Sequence, residues 1–250
     1  VHERWGNGWE IVDTAHAISN YFPEHSCCVS VALTLNRVAS NTRLIWEIIG
    51  KTRYTDGGEE IRRHMNTLSL NANANANANA DVAYARPIAY QRQHRLLWQE
   101  RVPGVTLHSL LAKSQTDPAL LVRVARAVAA LHSTPLSGLA RSAPDKLSDK
   151  LVAAQETLIA ARPACAAALR RVVATLLDRA KRLPPQSDAT RHGDLHSQNI
   201  LVSPTQVYLI DMDRLSIGPP LADLGSFLAE LAYRACLCGE PFDTTRRQLI

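Results

Sequence analysis

The apolar positions change rhythm part-way along the chain. Residues 10–55 are β-rich. Val29-Ser30-Val31-Ala32-Leu33-Thr34-Leu35 and Arg43-Leu44-Ile45-Trp46-Glu47-Ile48-Ile49 flank a polar turn, Asn36 to Thr42, and predict a hairpin. Glu59 or Glu60 opens a short helical run through Leu68. Leu96 to Glu100 predicts another strand, running into Arg101-Val102-Pro103-Gly104. From residue 105 the spacing turns helical. Leu107 begins one helix, and Pro118 to His132 forms a second, where Leu120, Leu121, Val124, Val128 and Leu131 recur at helical spacing. Helices over 147–161 and 164–183 follow, with Pro163 and Pro184-Pro185 as breaks, and Pro219 to Cys238 predicts a last one. Their Leu and Ala stripes are core. Residues 71–80 repeat Asn-Ala five times; with no apolar face, they predict a flexible loop.

One hairpin inside the helical part carries chemistry. Arg191-His192-Gly193-Asp194-Leu195-His196-Ser197-Gln198-Asn199 leads into Ile200-Leu201-Val202, then a turn at Ser203-Pro204-Thr205-Gln206, then Val207-Tyr208-Leu209-Ile210-Asp211. Asn199 enters the first strand and Asp211 leaves the second, so antiparallel pairing brings both to one end. Asn199 offers a neutral oxygen and Asp211 an anionic one, which suits a hard cation such as Mg²⁺. Asp194 is a carboxylate in reach of a substrate proton. Phosphoryl transfer needs positioning, charge neutralisation and one group to accept a hydroxyl proton, and these residue types supply all three. Lys51 follows the second strand directly and is one of five lysines in an arginine-rich chain. It either reaches nucleotide phosphates as a point charge or faces solvent at a strand end.

Composition excludes more than it assigns. At 250 residues the chain has room for one large domain or two lobes. No run of about 18 apolar residues exists, so no membrane span is expected. The N-terminus, Val1-His2-Glu3-Arg4-Trp5-Gly6, lacks a signal-like segment and an initiator Met, which predicts a cytoplasmic protein with a processed or cut start. Net charge is +5, yet the arginines (Arg123, Arg126, Arg170, Arg171, Arg179, Arg182) are scattered along helices rather than gathered in a stripe. A nucleic-acid-binding module is therefore the weaker reading, and a modest positive field suits steering of anionic ATP. Cys27, Cys28, Cys165, Cys236 and Cys238 show no CxxC pair; they are expected to be reduced and mostly buried.

The hairpin motif resembles the aminoglycoside phosphotransferase and choline kinase-like family, whose members have a protein-kinase-like fold. So do Asp211-Met212-Asp213-Arg214-Leu215 with Gly218-Pro219-Pro220-Leu221-Ala222-Asp223-Leu224-Gly225-Ser226-Phe227-Leu228, Val102-Pro103-Gly104-Val105-Thr106-Leu107, and Ala130-Leu131-His132-Ser133. The resemblance implies a two-lobed α+β fold, with a small β-rich N-terminal lobe over 1–101 and a mostly helical lobe over 102–250. It implies that Asp194 is the catalytic base, that His192 braces its loop, and that Asn199 and Asp211 hold Mg²⁺. Lys51 would fix the α- and β-phosphates of ATP, or of GTP, with Glu59 or Glu60 as the acid that orients it. The backbone C=O of Glu100 and N–H of Val102 would pair with the base. Any phosphate loop must work without glycine, since the Asn36–Thr42 turn has none. His132 is expected to bond the catalytic loop, Asp223 to cap backbone N–H groups or brace that loop, and Asp213 to face the metal or the substrate or pair with Arg214. The acceptor would be a small-molecule hydroxyl, as in an aminoglycoside, a sugar or choline. The chain stops at Ile250, which implies a truncated or compact copy. The rival is a nucleotide-binding pseudokinase.

Overall fold

In the computed structural model the described residues are 1–52, 56–74, 82–113, 117–142 and 144–237. The chain opens with a single turn, α1 (His2–Trp5), then three long strands: β1 (Trp9–Phe22), β2 (Ser26–Arg37) and β3 (Thr42–Thr52). Next come α2 (Gly58–Ala74), β4 (Val82–Tyr84), β5 (Pro87–Gln91), β6 (Leu96–Glu100) and β7 (Val105–Thr106). The rest is mostly helical: α3 (Leu107–Ala112), α4 (Pro118–Ser133), α5 (Pro144–Ala161) and α6 (Ala166–Lys181), then β8 (Ala189–Arg191), β9 (Ile200–Val202), β10 (Val207–Leu209), β11 (Ser216–Gly218) and α7 (Leu221–Leu237).

The N-terminal sheet has the order β1-β2-β3-β6-β5. Its register sets Cys28 opposite Lys51 and Lys51 opposite Leu97. A second sheet, β4-β10-β9-β7, forms the base of the helical part. Its β9–β10 pair is the expected hairpin, with Val202 opposite Val207. β4 joins it in parallel, Val82 opposite Val207 and Tyr84 opposite Leu209. A strand from the N-terminal part is thus built into the C-terminal sheet.

α4 starts where sequence demands. Asp117 accepts a hydrogen bond from Leu120 N–H at 2.6 Å, and Pro118 sits at the first helical position, where no N–H is needed. Its stripe Val124, Ala127, Val128 and Leu131 is buried in a core shared with Met65 and Leu68 of α2 and Ile200, Val207 and Leu209 of the hairpin. Burial of each large apolar side chain contributes roughly 1.5–3 kcal/mol before entropy is counted.

Three expectations need correction. The helix begun near Glu59 runs to Ala74, four residues into the Asn-Ala repeat. Ala is the best helix former, and Ala72 packs against the core, so the helix continues beyond Leu68. The remaining repeat residues, 75–80, lie outside the described residues, as does Cys238. Cys165 and Cys236 are exposed rather than buried. Cys165 lies at the break before α6 and Cys236 in the last turn of α7, where less of the chain covers them.

Candidate active site

The loop that carries Asp194 is suspended from buried groups. Asp223, at the start of α7, is 1% exposed and accepts hydrogen bonds from His192 N–H at 2.8 Å and Gly193 N–H at 3.0 Å. His132 Nε2 stands 3.0 Å from the same carboxylate. His132 therefore reaches the loop through Asp223, not directly as expected. Burial alone would raise the Asp223 pKa; the bonds from His132, Gly193 and His192 outweigh it and hold the group below its ordinary value. Gly193 has φ +78, and a Cβ there would overlap the carbonyl of Arg214, so no side chain fits.

His192 is fully buried, and its Nε2 lies 2.8 Å from Ile210 O. A carbonyl only accepts, so Nε2 carries the proton. Burial pushes the imidazole pKa down and keeps the ring neutral. This bond ties the Asp194 loop to the strand end that precedes Asp211. Ile210 N–H in turn donates to Asn199 O at 3.0 Å. Asn199 Nδ2 donates to Asp194 O and to His196 Nε2, both at 3.0 Å. Both amide donors being spent, Asn199 presents its Oδ1 as an acceptor. The Asp194 side chain is 42% exposed, with Arg214 Nε 3.7 Å away.

Lys51 reaches this group from β3. Its Nζ lies 2.5 Å from Asp211 and 2.7 Å from Asp213. Burial by itself would lower the Lys51 pKa; the charges and hydrogen bonds of Asp213 and Asp211 more than reverse it, so the ammonium is held firmly charged. Burial likewise opposes ionisation of Asp211, and Lys51 overcomes it, leaving that carboxyl below its ordinary range. Asp211 adopts a left-handed backbone, φ 63 and ψ 55, unusual for a residue other than Gly and of the kind stored at functional sites. Among the described residues Lys51 pairs with Asp211 and Asp213 rather than with the expected Glu59 or Glu60; Glu59 binds Arg62 at 2.7 Å, and the Glu60 carboxylate lies near Gly138. Asp213, set against a metal, a substrate or Arg214 from sequence, turns out to be a lysine partner.

The turn beside this cluster is not the one the sequence suggested. Lys51 sits at the far end of β3 from Asn36–Thr42, about 30 Å away at some 3.3 Å per strand residue. The strand register brings the β1–β2 turn, Pro23-Glu24-His25, to the Lys51 end instead. It too lacks glycine, and Glu24 takes the left-handed conformation at φ 61. At the other edge, β6 ends at Glu100, whose N–H donates to Arg86 O at 2.9 Å, and Arg101 N–H donates to Glu47 O at 3.0 Å. Among the described residues Val102 N–H has no hydrogen-bond partner.

Residues 59–247 match the sequence profile of the phosphotransferase enzyme family. The chain belongs to that family. No curated protein sequence matches it. Solved structures do. One is a thermostable mutant of aminoglycoside phosphotransferase APH(4)-Ia in ternary complex with ADP and hygromycin B, with TM-score 0.59 and 15% identity, over 90% of this chain and 73% of that one. Another is the GDP complex of aminoglycoside 2'-phosphotransferase-IIIa, TM-score 0.55 and 14% identity, over 99% and 84%. A third is a choline/ethanolamine kinase family protein from Mesorhizobium loti, TM-score 0.54 and 14% identity, over 86% and 64%. These likenesses establish the fold of this phosphotransferase-family chain as α+β and protein-kinase-like, a β-rich N-terminal sheet over a helical C-terminal part. Among the described residues no helix is long and apolar enough to cross a membrane.

Proposed function

We propose that the protein transfers the γ-phosphate of ATP to a hydroxyl of a small molecule, of the aminoglycoside, sugar or choline kind. The observation that carries this reading is convergence. Lys51, Asp211 and Asp213 form one ion-paired group, and hydrogen bonds through Ile210 and Asn199 connect it to Asp194. The structural relatives in complex with ADP and GDP support nucleotide use and keep GTP open as the donor.

In this reading Asp194 accepts the acceptor's hydroxyl proton as its oxygen attacks phosphorus. Arg214, exposed beside it, is placed to meet negative charge on the phosphoryl oxygens. Lys51 positions the α- and β-phosphates, and its two carboxylate partners hold it aimed until nucleotide enters. The adenine would bond Glu100 C=O and Val102 N–H, and the boundary between lobes would fall between Arg101 and Val102. Asn199 and Asp211 fit a hard cation by their donor chemistry, one neutral oxygen with its amide already turned away and one carboxylate. Mg²⁺ held there would neutralise phosphate charge.

The test is calorimetric titration with ATP and Mg²⁺, followed by a panel of small alcohols scored for ADP release. Mg²⁺-dependent binding and turnover on at least one alcohol are expected; absence of nucleotide binding would sink the reading. Lys51→Ala should leave adenosine affinity unchanged while ATP turnover falls. Equal turnover would mean that another cation positions the phosphates.

The β1–β2 turn gives a separate check. Glu24 would sit near the phosphates, where its charge opposes binding by Coulomb repulsion. Glu24→Gln should tighten ATP on the order of threefold at low salt and less at high salt, and leave adenosine unaffected. A gain independent of ionic strength would place that turn elsewhere.

A further inference from the structure

α7 grips the Asp194 loop at two points, not one. Asp223 holds the start of the loop through His192 and Gly193. Seven residues on, Glu230 holds its far side. Ser197, fully buried, donates its N–H to Glu230 Oε2 at 3.2 Å and its Oγ–H to Oε1 at 2.9 Å. Arg234 Nη1 lies 3.5 Å from Glu230 Oε1, contacts His108 Nδ1 of α3, and stands 3.4 Å from Ser197 Oγ. Its Nη2 donates to His108 O at 3.5 Å. Residues seven apart on a helix share a face and stand about 10 Å apart along its axis. Asp194 lies between the two anchors, and Asn199 comes two residues after the second.

We propose that Glu230 is a positioning residue for phosphotransfer, fixing Ser197 so that Asp194 and Asn199 keep their mutual placement. The proposal rests on the roles assigned above to Asp194 and Asn199. Glu230 meets no reacting atom; both carboxylate oxygens are spent on Ser197, with Arg234 compensating the charge. Without Glu230, the buried Ser197 N–H loses its acceptor and the hydroxyl keeps only the long contact to His108 Nδ1 at 3.4 Å; an unpaired buried donor is costly enough to move the loop. The Asn199–Asp194 bond two residues on shifts with it. Groups that orient ligand-bearing residues in this way typically account for about 10–100-fold in activity or metal affinity.

The test uses Glu230→Ala, Glu230→Gln, Ser197→Ala and the Glu230→Ala/Ser197→Ala double variant of the whole chain. Phosphate release from Mg²⁺–ATP, with water as acceptor, reports kcat and KM. Amide hydrogen exchange, resolved by residue, reports the loop. Glu230→Ala should lower kcat about 10–100-fold with little change in KM for ATP. Glu230→Gln keeps an oxygen for one of the two bonds and should recover part of that loss. Exchange at the Ser197 amide should quicken, while the His192 and Gly193 amides held by Asp223 keep wild-type protection. The double variant should be little worse than Glu230→Ala alone, because both changes break one contact. Unchanged kcat, additive losses, or a uniform loss of protection across the loop would each overturn the proposal; the last would make Glu230 merely a strut between α3 and α7. Failure of the phosphotransferase reading shows separately, as a wild-type protein that neither binds nor turns over Mg²⁺–ATP. The exchange pattern at Ser197 then still decides whether Glu230 anchors the loop.

Discussion

Asp194→Asn is expected to lower kcat for phosphotransfer by about 10²–10⁴-fold, the usual contribution of a general base. The side chain is open to substrate, its backbone carbonyl is fixed by Asn199, and its nearest cation is Arg214. Asn keeps the shape and removes the proton-accepting charge. Mg²⁺–ATP should bind as before, because Lys51, Asn199 and Asp211 are untouched, so the loss should fall on kcat rather than KM. Asp213→Asn is no neutral control, since it releases half the grip on Lys51. Glu59→Gln serves better, because among the described residues Glu59 is bonded to Arg62 on its own helix and not to the Lys51 cluster. Once an acceptor is found, the two variants are compared at saturating substrate. Near-normal turnover by Asp194→Asn would remove Asp194 as the base, whatever the fold.

Asp223→Ala should be the most damaging change to the fold. It strips the acceptor from the buried His192 N–H and the half-buried Gly193 N–H, the hydrogen-bond partner from His132 Nε2, and the counter-charge from Arg191, whose Nε lies 3.9 Å away. Removing one partner from a buried charged network typically costs about 3–5 kcal/mol, a large share of an ordinary domain's stability. The sign of the pH dependence follows from its lowered pKa. A carboxyl held down in the folded state contributes stability that is present above its unfolded pKa of about 3.9 and lost as pH falls through the lower folded value. The wild type should therefore weaken steeply below about pH 4, and Asp223→Ala should show a shallower slope there. Urea unfolding at pH 7 and across pH 2.5–5 reads both effects. A variant within about 1 kcal/mol of wild type would mean that Asp223 is not what holds the loop.

What could be read from sequence was what is local. Asn199, the turn and Asp211 fall within thirteen residues, so pairing rules alone place them at one end of a hairpin, and the structure brings them there. Asp223 was legible as a carboxylate at a helix start. The misses are non-local or unpatterned. β1 is exposed along nearly all of its length, so its apolar residues form no buried stripe for a period of two to reveal. The β1–β2 turn could be chosen over the β2–β3 turn only with the strand register in hand. The Lys51–Asp213 pair joins residues 162 positions apart, and no spacing rule connects them. Glu230 left a trace, seven residues after Asp223 on one helix face, but only the buried Ser197 gives that trace a meaning.

β4 changes how the molecule can be divided. Because Val82–Tyr84 is a strand of the C-terminal sheet, a cut between Arg101 and Val102 would not yield two complete units. The first fragment would carry a buried strand with nothing to pair with. The second would bare the edge of β10, with Val207 and Leu209 beside it, a surface prone to pairing with other chains. The halves of this protein are therefore not interchangeable cassettes. A chimera with a different N-terminal half would have to keep the native β4, yet a junction upstream of Val82 would part β6 and β5 from β3, so no single junction leaves both sheets whole.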